Sequence, residues 1–284
     1  MPLEIEEGSD PKDWTEAEWR KKVEKEKYNL VNADIPGAKL RGANLREANL
    51  MRANLTGADL SQVDLRGSDL MGAQLIDTNL TEANLIGVRM NQALFTDANL
   101  TRANLSGSRL CETVLKRAIL VEADISKGVL TKADFSNADL TGAKFIKSDL
   151  TGVNFRGALL EKVNMTQCII IRADFREAEI QQCDLTDSNL DQSDLSVADL
   201  EGANFTRANL NYCNFIGAEL KGVNFTQAKL TNADLTDADF QGAILKDTDL
   251  RGANLDQVKN FTQEQLDCAL VDEKTKLPSH LRST

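Results

Sequence analysis

The chain has 284 residues, 44 of them acidic and 33 basic, for a net charge of −11 and a sequence pI near 4.8. Such a surface repels nucleic acid and anionic membranes unless a basic patch overrides it, and the sequence shows none. Apolar residues make up 42%, enough for a sizeable core, while aromatics are only 5%, which suits a narrow interior.

The N-terminus, Met1-Pro2-Leu3-Glu4-Ile5-Glu6-Glu7, is acidic and lacks the basic-then-apolar order of a signal peptide, and no apolar run approaches a membrane-spanning length. A cytoplasmic protein with no membrane association is expected. Five cysteines without paired spacing, Cys111, Cys168, Cys183, Cys213 and Cys268, agree with a reducing compartment. Residues 1–29 form an N-terminal segment. Asp13-Trp14-Thr15-Glu16 places an N-cap candidate three residues before a Glu, and Trp19 and Val23 share a face of a charged helix running to about Lys27. This helix is expected to cover the exposed edge of the tract that begins at Leu30.

From Leu30 to Leu255 every fifth residue is Leu, Ile, Phe or Met, 46 consecutive hits, with 31 Leu and nine Phe among them. Two places before each, apart from Tyr28 at the very start, stands a small residue, Ala in 28 cases. A period of five fits neither element. In a helix, five steps turn the side chain by about 140°, and in a flat strand they land on the opposite face. The pattern can be buried if the chain turns a corner in each quintet. The central residue and the small residue then point inward, four quintets close a coil of twenty residues, and the whole tract makes roughly 11 to 12 coils over about 55 Å. The phase never slips, so residues 30–255 are expected to be one uninterrupted solenoid. In residues 256–284, Thr262 and Gln265 form a capping box for a helix from Gln263 to about Leu270, with Phe261 and Leu266 as a hydrophobic staple. Leu277, Pro278 and Leu281 suggest an extended closing segment.

Quintets such as Ala43-Asn44-Leu45-Arg46-Glu47 and Ala203-Asn204-Phe205-Thr206-Arg207 resemble the pentapeptide-repeat family over about four fifths of the chain. The resemblance implies an all-β, right-handed quadrilateral β-helix with short helical caps, and pairing of such rods end to end makes either a monomer or an end-to-end homodimer the expected state. It says little about activity, because fold and function separate easily.

The residues themselves point away from catalysis and from cofactors. The one histidine, His280, lies four residues from the C-terminus, a poor place for a packed catalytic base. Cys168, Cys183 and Cys213 occupy inward positions on three different sides of the coil, so they read as substitutes for Ala in the core and not as ligands of one metal ion. Asp or Asn stands just before the central residue in 31 of 46 quintets, read here as a requirement of the corner and not as acid–base machinery.

Two outward surfaces stand out. In the coil 111–130, Val114, Ile119 and Val129 replace the usual Asp or Asn. With Leu94, Cys111 and Val121 they form a candidate partner surface rimmed by Arg89, Arg109, Lys116 and Arg117. Asp139, Glu179, Asp199, Glu219 and Asp239 share a column and form a candidate acidic face, in a stretch (141–255) with 17 acidic against 11 basic residues. The sequence therefore reads as a non-enzymatic interaction or regulatory scaffold that presents a rod-like surface to a protein partner. The alternative, implied by the resemblance, is an acidic DNA mimic that binds DNA gyrase, as the quinolone-resistance and mycobacterial gyrase-inhibiting members do.

Overall fold

The computed structural model describes residues 13–281, in two compact units, Met1–Asp139 and Leu140–Thr284. Each is a quadrilateral coil with one parallel bridge per side, at a register of twenty residues. Asn44 pairs with Asp64 and Asp64 with Asn84 in the first unit, and Asn164 pairs with Asp184 and Asp184 with Asn204 in the second. The strands have shrunk to single bridging residues because a corner comes after every three.

The repeat can be understood by finding a partner for each of its five backbone N–H groups. Around Leu45, the N–H groups of Leu45 and Glu47 donate to the carbonyls of Asp64 and Arg66 on the next coil, and Asp64 N–H donates back to Ala43 O. Ala48 N–H closes the corner onto Leu45 O at 3.1 Å. The N–H just after the central residue is left without a backbone acceptor. The Asn or Asp just before the central residue fills that gap: Thr101 N–H donates to Asn99 Oδ1 at 2.9 Å, and Ser196 N–H to Asp194 Oδ1 at 3.0 Å. These Asn and Asp residues thus sit in the middle of a side, and only their side chains reach the corner.

Each corner has positive φ at its third residue, the mark of a type II turn. Every residue two places after a central position has positive φ, fifteen of them Gly. The others are polar or charged except for Val197 at +58° and Tyr212 at +58°. A branched side chain is costly there, about 1–2 kcal/mol, because its Cβ crowds the backbone.

Inside, the central Leu and Phe side chains are fully buried, with Phe155 stacked on Phe175 at 5.0 Å and Phe205 on Phe225 at 5.4 Å. Where a small inward residue is polar, its hydrogen goes to a carbonyl 23 residues earlier or three residues earlier. Ser68 donates to Leu45 O and Ser193 to Ile170 O, both at 2.7 Å, and Ser188 donates to Leu185 O. Cys168, Cys183 and Cys213 take the same place, their thiols donating to the carbonyls of Phe145, Leu160 and Leu190. Burial pushes these thiols up to about 11, 12 and 12 respectively.

The helix α1, Glu16–Glu26, is capped by Thr15 and not by Asp13: Glu18 N–H donates to Thr15 Oγ1, and Thr15 N–H to Glu18 Oε2. Trp19 and Val23 are buried beneath it. The helix and the residue that caps its C-terminus, Lys27, also supply acceptors that the first coil would otherwise take from a preceding one. Asn44 N–H donates to Glu24 Oε1 at 2.7 Å and Asn49 N–H to Lys27 O at 2.8 Å.

At the other end, α2 spans Gln263–Asp267 with the expected Thr262–Gln265 capping box, and the Gln265 amide also donates to the carbonyls of Phe240 and Ala243. The helix stops three residues short of Leu270. There the chain rejoins the ladder, with Leu270 N–H donating to Thr248 O and Leu250 N–H to Leu270 O, both at 2.8 Å. Pairing the open edge outweighs another helical turn, since unpaired backbone groups are costly. Lys276 pairs next with Asn254, and Pro278 is buried. The tail is anchored by Asp272, whose Oδ1 accepts Gly252 N–H at 2.9 Å. That bond, with others from Thr275 and Lys274, holds the Asp272 carboxyl below its ordinary value.

Three of these features can be tested directly. Val197→Gly relieves the left-handed strain without removing a packed side chain, and denaturant unfolding should show a gain of about 1 kcal/mol; a loss would mean that the corner is not strained. With iodoacetamide at pH 8, Cys268 should alkylate in the folded chain while Cys168, Cys183 and Cys213 react only after denaturation, as read by mass spectrometry. Because the folded Asp272 carboxyl lies below its unfolded value, its contribution is present above about pH 4 and is lost as the pH falls through the folded value. The protection of the Gly252 amide relative to its intrinsic exchange rate should fall on acidification, and Asp272→Asn should abolish that step.

Candidate interaction surface

The six residues of the apolar group in the first unit do not share one surface. Leu94 and Val114 are bridge partners on one side, both half-buried. Cys111 lies on the corner beside them, where Thr131 donates to its Sγ at 3.2 Å. Ile119, 41% exposed, is on the next side, paired with Asn99 and Asp139, and Val121 is on the corner after it. Val129 pairs with Arg109 on the side opposite Ile119. The register of twenty makes this unavoidable, since residues five apart are one side apart and ten apart are opposite. The band therefore resolves into a Leu94–Val114 pair with Cys111, and separate apolar residues around the coil. Among the rim cations, Arg89 pairs with Asp69, Lys116 with Asp134, and Arg117 with Asp97 through two bonds of 2.8 and 2.6 Å.

The acidic column is better preserved. In the second unit Glu179, Asp199, Glu219 and Asp239 are consecutive bridge partners on one side. Both Glu residues are exposed and both Asp residues half-buried. Asp199 accepts from Gln181 and from Glu201 N–H, and Asp239 from Asn260 and Gln241 N–H. Among the described residues, Glu219 is the one member of this column within ion-pair distance of a cation, Lys221 at 3.4 Å. Asp139 belongs to the first unit, paired with Ile119.

The neighbouring side carries a second column, Asp174, Asp194, Asn214 and Asp234. Asp174 is bridged by Arg176 through bonds of 2.9 and 2.6 Å, and the guanidinium holds its carboxyl below the ordinary range. The corner between the two columns carries Val197, 65% exposed, and Ile216, 40% exposed, adjacent on successive coils because Val197 N–H donates to Ile216 O at 3.0 Å. Tyr212, 61% exposed, stands at the far corner of the Asn214 side. Sequence reasoning passed over these three. The available signal was the third turn position, where Val197 and Tyr212 interrupt a run of glycine and polar residues.

His280 lies near the surface, with Nε2 3.0 Å from Phe261 O, the arrangement of a tail anchor. Among the described residues no group of three His, Cys, Asp or Glu is placed to hold a metal ion, and no helix is long and apolar enough to cross a membrane.

Comparison with known proteins matches this geometry. Pentapeptide repeats match in eight copies, over residues 29–67, 48–85, 78–117, 93–131, 118–157 and 218–257, and a pentapeptide repeat region matches residues 158–234. No curated protein matches. Among solved structures, HetL, a pentapeptide repeat protein involved in heterocyst differentiation regulation from the cyanobacterium Nostoc sp. strain PCC 7120, is 29% identical. The match covers 80% of this chain and 95% of HetL, with a TM-score of 0.37. Rfr23, from the cyanobacterium Cyanothece 51142, is 27% identical over 44% of this chain and 90% of its own, with a TM-score of 0.22. QnrB1, a plasmid-mediated fluoroquinolone resistance protein, is 18% identical over 59% of this chain and 92% of its own, with a TM-score of 0.27. With family matches from residue 29 to residue 257 and the five-residue corner, core and register described above, the chain belongs to the pentapeptide-repeat family and folds as its right-handed quadrilateral β-helix.

Proposed function

We propose that this chain is a non-enzymatic scaffold that binds a protein partner, with the acidic side of the second unit as its contact surface. The observation that carries this reading is the unbroken column Glu179, Asp199, Glu219 and Asp239, held in fixed register by the bridges beneath it. A rigid row of like charges, with Lys221 paired to Glu219 and Lys259 following Asp239 at its end, is arranged for a partner of opposite sign, and such complementarity speeds and orients encounter. A regulatory role, of the kind in which HetL is involved, is compatible with a protein that acts by binding.

Charge mimicry of DNA is the second reading, favoured by the same column and opposed by its density. Residues 141 to 255 carry 17 acidic and 11 basic side chains, a net of −6. At twenty residues per coil these 115 residues rise about 28 Å, a length over which duplex DNA carries about 16 charges. The surface is too sparsely charged to replace a duplex, though dense enough to recruit a basic protein surface.

Affinity capture from the native host tests the proposal. The wild-type chain should retain a partner that an Asp199→Asn, Glu219→Gln variant loses and a Val114→Lys variant keeps. A partner lost with Val114→Lys alone would move the contact to the first unit, and no partner with any of the three would defeat the scaffold reading. Micromolar chain should leave DNA gyrase supercoiling unaffected; inhibition would restore the mimicry reading.

A further inference from the structure

We infer that the ridge formed by Val197 and Ile216 is an apolar anchor point for a basic, amphipathic segment of a partner protein, a reading that rests on the scaffold function and locates its centre. Three observations converge on this ridge. The first is strain: among the described residues Val197 is the one β-branched residue with positive φ, in a position where glycine or a polar residue serves every other corner save that of Tyr212. Strain of this kind persists only where the surrounding structure imposes it, and it collects at ligand-contacting positions.

The second is exposure without a packing return. Val197 is 65% exposed, so the fold gains little apolar burial from it. Ile216 lies beside it on the next coil, 40% exposed, with its own N–H tied to Asn214 Oδ1 at 3.0 Å. The two make a short apolar crest on a corner that otherwise carries Arg156, Gly157, Arg176, Glu177, Ser196, Gly217, Thr236 and Asp237.

The third is charge, which names the occupant. The crest runs between two acidic columns, Asp174, Asp194 and Asp234 on one side and Glu179, Asp199, Glu219 and Asp239 on the other. Three nearby cations are engaged, Arg176 with both Asp174 and Asp194, Arg156 with Glu177, and Lys221 with Glu219, while Lys259 follows Asp239 at the end of its column. A segment that places an apolar side chain against the crest and Lys or Arg on both flanks satisfies all three features. A nucleic acid would be repelled by the same columns, and a purely apolar partner would leave carboxylates desolvated along the rim. Tyr212, four residues before Ile216 and so about 13 Å away along the side, is within reach of the same extended segment.

The test uses the full chain and a fluorescein-labelled dodecapeptide of alternating lysine and leucine, read by anisotropy, with lysine–serine and glutamate–leucine peptides as controls. The lysine–leucine peptide should bind more tightly than both controls. A Val197→Gly, Ile216→Thr double variant should weaken it at least tenfold while leaving the lysine–serine peptide unchanged. Asp199→Asn with Glu219→Gln should weaken both lysine peptides and flatten their salt dependence. Loss of binding cannot be ascribed to unfolding if circular dichroism and the denaturation midpoint are retained, and Val197→Gly by itself is expected to stabilise the chain. Equal binding of the lysine–leucine peptide to wild type and double variant overturns the proposal, as does equal binding of the lysine–leucine and lysine–serine peptides. Retention by the double variant of a host partner that the acidic-column variant loses would overturn the anchor and leave the scaffold reading intact.

Discussion

The structure depends on one backbone N–H in every five. Of the five donors in a quintet, three bond to neighbouring coils and one closes the corner, while the donor just after the central residue has no carbonyl to meet. A side-chain oxygen two residues earlier supplies the acceptor, as Asn99 does for Thr101 and Asp194 for Ser196. A buried or half-buried donor left unmade costs more than a made bond gains, so where Asp or Asn precedes the central residue, as in 31 of 46 quintets, it is as much a part of the backbone architecture as the Leu itself. The profusion of carboxylates along the chain has this structural origin, and that removes the usual inference from paired Asp residues to acid–base chemistry.

Once that requirement is met, the inward positions are fixed and the outward ones are free to differ. Inside, Leu, Phe and Ala fill a narrow channel, and the few polar inward residues are matched to carbonyls of an adjacent coil or of their own corner. The three buried cysteines behave as serines in this respect and are chemically quiet, their thiols raised by burial. Outside, the positions that depart from the pattern carry the information. Leu94 and Val114 give up the corner acceptor and gain an apolar pair. Glu179 and Glu219 extend an acidic column, and Val197 accepts a left-handed conformation that glycine would adopt freely.

The two ends show the same accounting under different means. At the start of the first unit, Glu24 of α1 and the carbonyl of its C-cap, Lys27, serve N–H groups that have no preceding coil. At the close of the second, the chain inserts α2 and then returns, with Leu270 and Lys276 pairing at offsets of 21 and 22 in place of twenty. The α2 capping box was legible because Thr262 and Gln265 stand at the required spacing. The early stop of the helix at Asp267 was not, because the competing partner is an unpaired edge that exists only after the last coil has formed. The start of α1 shifts for a local reason: Thr15 and Glu18 satisfy each other, whereas Asp13 lies outside the first turn.

The sequence by itself determined the period, the inward and outward positions, the corner in each quintet and the register of twenty, because a repeat of five without a slip admits one way to bury its Leu column. From that register the acidic column could be read in advance. The tertiary structure decided which departures lie together. It separated Val129 from Ile119 onto opposite sides, and it set Val197 beside Ile216 on a ridge between two acidic columns. Adjacency across coils joins residues 19 to 21 apart, and a side chain's exposure and backbone strain depend on the corner it occupies; neither is expressed in the local sequence around it.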